Sequence, residues 1–283
     1  MYLVDYQRAA FIYLFQKKIV FNQTVLLHLT DNFNKLKLME LFYAYPENIT
    51  EHEITLDAFE TKHAIATLRK KTGDKIFVTD GLGKLYTTEV IAVKPSVLLQ
   101  IRGQKTQPEP SPRIGLGVGY IRPNRLDFIL EKGTELGIND FFLIRSEKAN
   151  YMSTNQNRFD KVIRQALKQS IKLYKPILHF SHTLSEFFEQ TSDYGLRIAA
   201  TSSTDPPLLN AFQRNYKNHN SILIAIGPEG GFSRAEMNML ENNAFLCVSL
   251  GGSRLRSETA ALSAVAAVQL FLNYLKEASL GTG

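Results

Sequence analysis

Two stretches of this chain carry residue types that could do chemistry. Gly227-Pro228-Glu229-Gly230-Gly231 is a loop of nearly bare main chain with one carboxylate in it. Gly251-Gly252-Ser253-Arg254-Leu255-Arg256-Ser257-Glu258 joins a glycine pair to two guanidinium groups and a second acid. Glycines lack a Cβ, so another molecule can approach the main chain closely and be recognised by its amides. The acids can accept a proton or balance a cation. The arginines stay protonated, so they can stabilise developing negative charge but cannot serve as ordinary bases.

Such loops need regular elements to hold them. Ile222 to Ile226 is an unbroken apolar run, which suits a strand covered on both faces in a parallel sheet. Ser233 and Glu236 have the spacing of a capping box and predict a helix from Arg234. The plan then repeats. Phe245 to Leu250 predicts a second strand, and Ser257 reads as the N-cap of a long alanine-rich helix with Glu258 in its first turn. Strand, bare loop and capped helix, twice over, put two loops beyond the carboxyl ends of the strands, where α/β folds bind ligands. A plain tight turn is the alternative for the first loop taken alone.

The segments "IGPEGGFSRAE", "LGGSRLRSETA", "RPNRLDFILEKGTELGINDFFLIRSEKA" from Arg122 and "KHAIATLRKKTGDKIFVTDGLGKLYTTEV" from Lys62 follow one another in a recognisable order. They resemble motifs of the SPOUT methyltransferases, most closely the bacterial family that methylates N3 of a uridine in 16S ribosomal RNA. The resemblance covers residues 39 to about 275. It implies an α/β fold with a C-terminal SPOUT domain over residues 114–283, a parallel sheet with helices on both faces and a deep trefoil knot. It also implies a PUA-like β-barrel over 39–107, with 108–113 as linker, S-adenosyl-L-methionine as cofactor, a homodimer, and the small ribosomal subunit's 16S rRNA as partner. Residues 1–38 stand outside the resemblance; an upstream extension or a mis-assigned start is expected there, with a short added helix as the alternative.

The same resemblance assigns Gly227, Pro228, Glu229, Gly230, Gly231, Leu250, Gly251, Leu255 and Ser257 to the cofactor, with Thr201, after "LRIAAT", ending a third contributing strand. It puts Arg256, Arg125 and Glu229 at the reaction centre, with Glu229 or Glu258 taking a proton through water. Arg122 and Arg125 fall near the reaction centre or the RNA backbone. In the amino-terminal module His63, Leu68, Arg69, Gly73 and Asp74 match the family pattern, Arg69 as an RNA contact, while Lys62 replaces a histidine common there. A structural β-module with turn glycines is the alternative for those residues. One departure concerns the second loop: many relatives carry an arginine where this chain has Ser253 and an aliphatic residue where it has Arg254, so the arginine is displaced by one position.

The segment from Arg158 adds a candidate nucleic-acid contact. On a helix, Lys161, Arg164, Lys168 and Lys172 share one face, opposite Val162, Ile163, Ala166, Leu167 and Ile171. Such a ridge suits RNA phosphates, whose neutralisation releases counterions, or is simply a solvated face. Gly115, Gly117 and Gly119 superficially suggest a dinucleotide loop, but they run G-x-G-x-G without the third glycine of G-x-G-x-x-G. They read as small residues within a strand that admit close neighbours.

Length and composition fit this picture. The chain has 283 residues, enough for two domains, and a formal charge of +6 that favours an anionic partner. "QPEPSPR" from Gln107 is the clearest linker, and Asp80-Gly81 with Gly83 between β-prone runs predicts a hairpin. The single cysteine, Cys247, fits a reduced, cytoplasmic setting, and no Cys/His cluster has metal-ligand spacing. No uninterrupted apolar run reaches the roughly eighteen residues of a membrane span, so none is expected. Two other functions remain open: a SPOUT enzyme acting elsewhere on RNA, such as a ribose 2′-OH, and a non-catalytic RNA-binding protein of ribosome assembly that needs no cofactor.

Overall fold

The computed structural model describes residues 40–152, 155–201 and 205–280. The expectations for residues 1–38 lie outside the described residues. The first sheet combines β1 (Leu41–Tyr43), β2 (Glu53–Thr55), β3 (Lys75–Thr79), β4 (Lys84–Ala92) and β5 (Leu98–Thr106) in the order β1-β3-β4-β5-β2. The β3–β4 hairpin forms where Asp80-Gly81 predicts it, and Gly81 and Gly83 take φ of 72° and 96°. Asp80 Oδ1 accepts from the amides of Leu82 and Lys84 at 2.8 and 3.2 Å, which closes the turn. Ile54, Leu56, Ile76, Val78, Val90 and Leu99 fill the core, and helix α1 (Ala58–Lys62), capped by Asp57, runs on into a wider turn over His63–Thr67.

Beyond Gln107 to Pro112 the chain enters a wholly parallel sheet of six strands: β6 (Arg113–Gly119), β7 (Asp140–Ile144), β8 (Ile177–Ser181), β9 (Leu196–Ala200), β10 (Ser221–Ile226) and β11 (Leu246–Val248), in the order β11-β9-β10-β6-β7-β8. The intervening helices are α2 (Pro123–Leu136), α3 (Gln156–Gln169), α4 (Leu184–Gln190), α5 (Leu208–Asn215), α6 (Arg234–Asn242) and α7 (Ser257–Leu280). They cover both faces. Ile222, Ile224 and Ile226 face a core shared with α2, α3, α5 and α7, while Leu223 and Ala225 face one shared with α4 and α6. That is why β10 reads as a continuous apolar run: it pairs with β6 on one side and β9 on the other.

The glycines of β6 answer to close neighbours. A Cβ on Gly115 would lie 2.6 Å from the Tyr194 hydroxyl, one on Gly117 2.7 Å from the Phe187 ring, and one on Gly119 2.5 Å from Pro228 Cδ. Two expected boundaries are corrected. β11 spans only Leu246–Val248 and not Phe245 to Leu250, because it is an edge strand paired to β9 alone. Ser257 is the first helical residue of α7, not its cap. Ser257–Ala278 is long and apolar enough to cross a membrane by length and composition, because alanines raise its hydropathy without an unbroken apolar run. Its Ala261, Ala264, Val265, Val268 and Leu272 lie in the core beside the sheet.

At the first residue of β7, Asp140 is 6% exposed and forms the centre of a polar cluster. Tyr194 donates to it at 2.7 Å, His179 Nε2 lies 3.0 Å away and Arg113 Nε 3.3 Å away. Burial alone would raise this carboxyl, but the hydrogen bonds of His179 and Tyr194 and the charge of Arg113 outweigh it and hold the pKa below its ordinary 3.8. A carboxyl held low in the folded state contributes stability above pH 3.8 that is lost as pH falls through the folded value. Asp140→Asn is therefore expected to cost about 2 kcal/mol at neutral pH, the scale of a charged hydrogen bond, with the gap from wild type narrowing in acid. Urea unfolding at pH 7 and pH 3 checks this; a gap that stays constant would reject it.

The predicted cationic ridge is also corrected. Arg164 is 8% exposed: its Nη1 donates to Asp57 at 3.0 Å, its Nε lies 2.8 Å from Asp160, and its plane lies over the rings of Tyr43, Tyr45 and Phe59. Lys168 donates at 2.6 Å to Glu60, which is fully buried. Burial pushes the Glu60 carboxyl up in spite of that lysine. Asp160 lies on α3 itself and also receives Lys175 at 2.6 Å and the Tyr45 hydroxyl at 3.1 Å. These contacts dock α3 against β1 and α1 of the first sheet unit. Two cations of the ridge are thus spent inside the protein. Lys172 lies past the end of α3, half-buried, and Arg158 pairs with Asp127. Lys161 remains exposed, with its ammonium 4.9 Å from the Phe59 ring centre.

Candidate functional site

The carboxyl ends of β9, β10 and β11 open onto a cavity of about 690 Å³. The two glycine loops are not neighbours along the sheet, since β9 lies between β10 and β11, and Thr201 at its end sits between them. Thr201 is held there by its amide bond to Val248 O at 2.9 Å and by its hydroxyl, which donates to Asp205. Every residue expected at the cofactor lines this cavity: Thr201, the run Gly227 to Gly231, Leu250, Gly251, Leu255 and Ser257. Arg125 and Arg256 line it too.

The first loop is a closed turn. Gly231 N–H donates to Pro228 O at 2.8 Å, and Gly231 takes φ of 66°, a left-handed conformation that favours glycine. The predicted capping box is present: Ser233 Oγ accepts from Glu236 N at 3.1 Å, and Glu236 Oε2 accepts from Ser233 N at 2.7 Å. The second loop starts with Ser249 Oγ accepting from Gly251 N at 3.1 Å, and Gly251 takes φ of 116°. A Cβ built on Gly231, Gly251 or Gly252 would meet nothing within 4 Å, so these glycines border open space.

Charge converges at the rim. Arg125, in the first turn of α2, lies 3.5 Å from Glu229 Oε1 through Nη1 and 3.5 Å from Glu258 Oε1 through Nε. One guanidinium thus ties the first loop to the start of α7. Both oxygens of Glu229 and Oε2 of Glu258 are buried atoms without a hydrogen-bond partner. Arg254 and Arg256 line the same space from the second loop and are exposed. The arrangement can bind a ligand through backbone, keep a fixed cation beside two acids, and meet an anionic molecule with exposed arginine side chains.

Other expected residues lie elsewhere. Arg122 is exposed at the start of α2, donates from Nε to the Tyr151 hydroxyl at 2.9 Å, and does not line the cavity. Arg69 is exposed in the first sheet unit at φ of 53°, also away from the cavity. Glu131 and Glu135 both receive Lys132, at 2.7 and 2.8 Å, which relieves their repulsion along the α2 surface. Sequence reasoning did not single out Ser249 or Ala260, which line the cavity, or Lys148, whose Nζ donates to Gly230 O and Phe232 O. Ser249 stood next to the expected Leu250; Lys148 carried no local signal.

A family model described as an RNA methyltransferase domain matches residues 107–269. The ribosomal RNA small subunit methyltransferase E of Rickettsia conorii is 25% identical over 218 residues, covering 76% of this chain and 88% of that protein. Among solved structures, a probable rRNA-methyltransferase from Porphyromonas gingivalis superposes with a TM-score of 0.73 at 27% identity, over 82% of this chain and 98% of the other. A ribosomal RNA small subunit methyltransferase E from Neisseria gonorrhoeae, bound to S-adenosyl methionine, gives a TM-score of 0.72 at 26% identity with the same coverage.

Proposed function

This chain belongs to the RNA methyltransferase domain family, and from that premise we propose that it methylates N3 of a specific uridine in 16S ribosomal RNA, with S-adenosyl-L-methionine as donor. The observation that carries this reading is the glycine-bordered cavity lined on one side by Arg125 and Glu229, with Glu258 3.5 Å from that arginine. The residues fit the donor: Gly231, Gly251 and Gly252 leave room at the main chain, and the carboxylate of Glu229, on the cavity wall with both oxygens free of hydrogen bonds, suits a cationic ligand. Bound there, the donor supplies an electrophilic methyl group on a sulfonium.

The chain's own residues must solve the other half of the problem. N3 of uridine carries a proton, and its lone pair is unavailable until that proton leaves. Arg125 and Arg256 stabilise the negative charge that then develops on O2 and O4. Glu229 and Glu258 hold the Arg125 fork in position and are the nearest acids to take the proton, directly or through water. Arg254 is the arginine that the second loop displaces by one position, and it still lines the cavity. Backbone from the two loops orients the donor for in-line transfer.

The RNA partner is bound in this reading by exposed cations: Arg122, Arg69, Lys161 and Arg256, with Arg158 at the edge. We read the first sheet unit as a PUA-like RNA-holding module and the path through β9 and β11 as a deep trefoil knot. Support for the knot comes from two hydrogen bonds that tie residues flanking the β9–α5 connection to the end of β11: Thr201 N to Val248 O, and Ser249 N to Pro206 O. A homodimer is supported by the outer side of α7, where Leu270 and Tyr274 are 70% and 66% exposed on an otherwise apolar helix.

Nucleoside mass spectrometry of rRNA from cells with and without the gene tests the reaction. The expected result is loss of 3-methyluridine from 16S rRNA. Persistence of that nucleoside together with loss of a ribose 2′-O-methyl mark would reassign the target.

A further inference from the structure

We propose that Lys148 is a positioning residue for the methyl donor: it fixes the Gly227–Gly231 loop from outside the cavity. The loop contains three glycines, and ordering such a segment carries a high entropic cost. Its inner face must stay bare for a ligand, so whatever holds it has to act from the other side. Lys148, in the connection between β7 and α3, does so. Its Nζ donates to Gly230 O at 3.2 Å and to Phe232 O at 3.1 Å. Its methylene stem covers Gly230 so closely that a Cβ there would lie 3.0 Å from Lys148 Cβ and 3.1 Å from Cδ.

The two residues before it anchor the same connection to the start of α6. Glu236, 3% exposed, accepts from Glu147 N at 2.9 Å and from Ser146 Oγ at 3.1 Å while also capping Ser233 N at 2.7 Å. The capping-box acid is therefore the post on which Lys148 is mounted. Lys148 does not line the cavity, so its charge acts on the loop and not on the ligand. A solvated surface lysine would donate to water; this one donates to two carbonyls of one loop, a charge-assisted arrangement.

The inference rests on the reading that the cavity takes S-adenosylmethionine, and calorimetry on the full chain separates the two. If wild type fails to bind S-adenosylmethionine, that reading falls and this inference with it. If wild type binds, Lys148→Met is expected to weaken binding about tenfold, the scale of losing charged hydrogen bonds, while Lys148→Arg stays within about threefold. Amide hydrogen exchange over residues 227–233 of the ligand-free protein is expected to quicken in Lys148→Met alone. Unchanged affinity in Lys148→Met overturns the inference. So does an equal loss in both variants accompanied by a lower melting temperature, which would make Lys148 a fold residue only.

Discussion

Arg125→Met is expected to slow methyl transfer to RNA by about a hundred- to a thousandfold, the effect of removing one preorganised group that stabilises transition-state charge. The side chain is 23% exposed and its fork faces two carboxylates, each at 3.5 Å. Its removal does two things that act in the same direction. In the proposed reaction the negative charge developing on the uridine ring loses a fixed cation, and Glu229 on the cavity wall and Glu258 behind it both lose their counter-charge. Arg125→Lys keeps the charge but cannot span both acids, because an ammonium lacks the planar fork. It should recover part of the rate, roughly tenfold over the methionine variant. The measurement is a single-turnover rate at saturating donor and RNA. A wild-type rate in Arg125→Met would remove Arg125 from the reaction centre and leave the charge stabilisation to Arg256.

The site was more legible in the sequence than the surface that surrounds it. Gly227 to Gly231 announces itself because strand, glycine loop and capping box are local patterns, and local patterns survive folding when every level agrees. The helix on both sides of Asp160 shows the opposite. A helical wheel finds the face that Lys161, Arg164 and Lys168 share, but not what packs on it. Asp57 and Glu60 are separated from that helix by more than ninety residues of chain, and only the docked structure brings them onto Arg164 and Lys168. An acid at the cap and another in the first turn of a short helix were the available hint. Lys148 was invisible for the same reason, since its partners are main-chain carbonyls, which any sequence offers everywhere.

Buried opposite charges also change what the docking is worth. A fully buried Glu60 paired to Lys168 gains little net stability over an apolar pair, but either partner alone is costly. The ion pairs among Asp57, Glu60, Asp160, Arg164, Lys168 and Lys175 therefore specify how the first sheet unit sits on α3 more than how tightly. On the proposed function, in which substrate reaches from an RNA-holding unit to the rim at Arg125, a fixed orientation is the useful property. On that proposal Arg164 and Lys168 serve RNA indirectly, by setting the orientation.

Gly227→Ala is expected to weaken binding of S-adenosylmethionine by on the order of a hundredfold, the upper range for overpacking a tight site. A Cβ there would come 2.8 Å from Phe232 N, 2.9 Å from Gly231 C and 3.0 Å from Gly231 Cα. All three are backbone atoms, so no side-chain rotation relieves them; the turn closed by Gly231 N–H and Pro228 O has to open. It cannot retreat toward the strand, because Pro228 already lies over Gly119, where a Cβ would meet Pro228 N at 2.7 Å. The loop must therefore move into the cavity or lose its shape, and either displaces the donor. Gly103→Ala is the control: it lies on β5, and a Cβ there meets nothing within 4 Å. Calorimetry on both variants reads the difference. Equal donor affinity in Gly227→Ala and wild type would mean that the loop's backbone does not hold the donor, whatever lines the cavity.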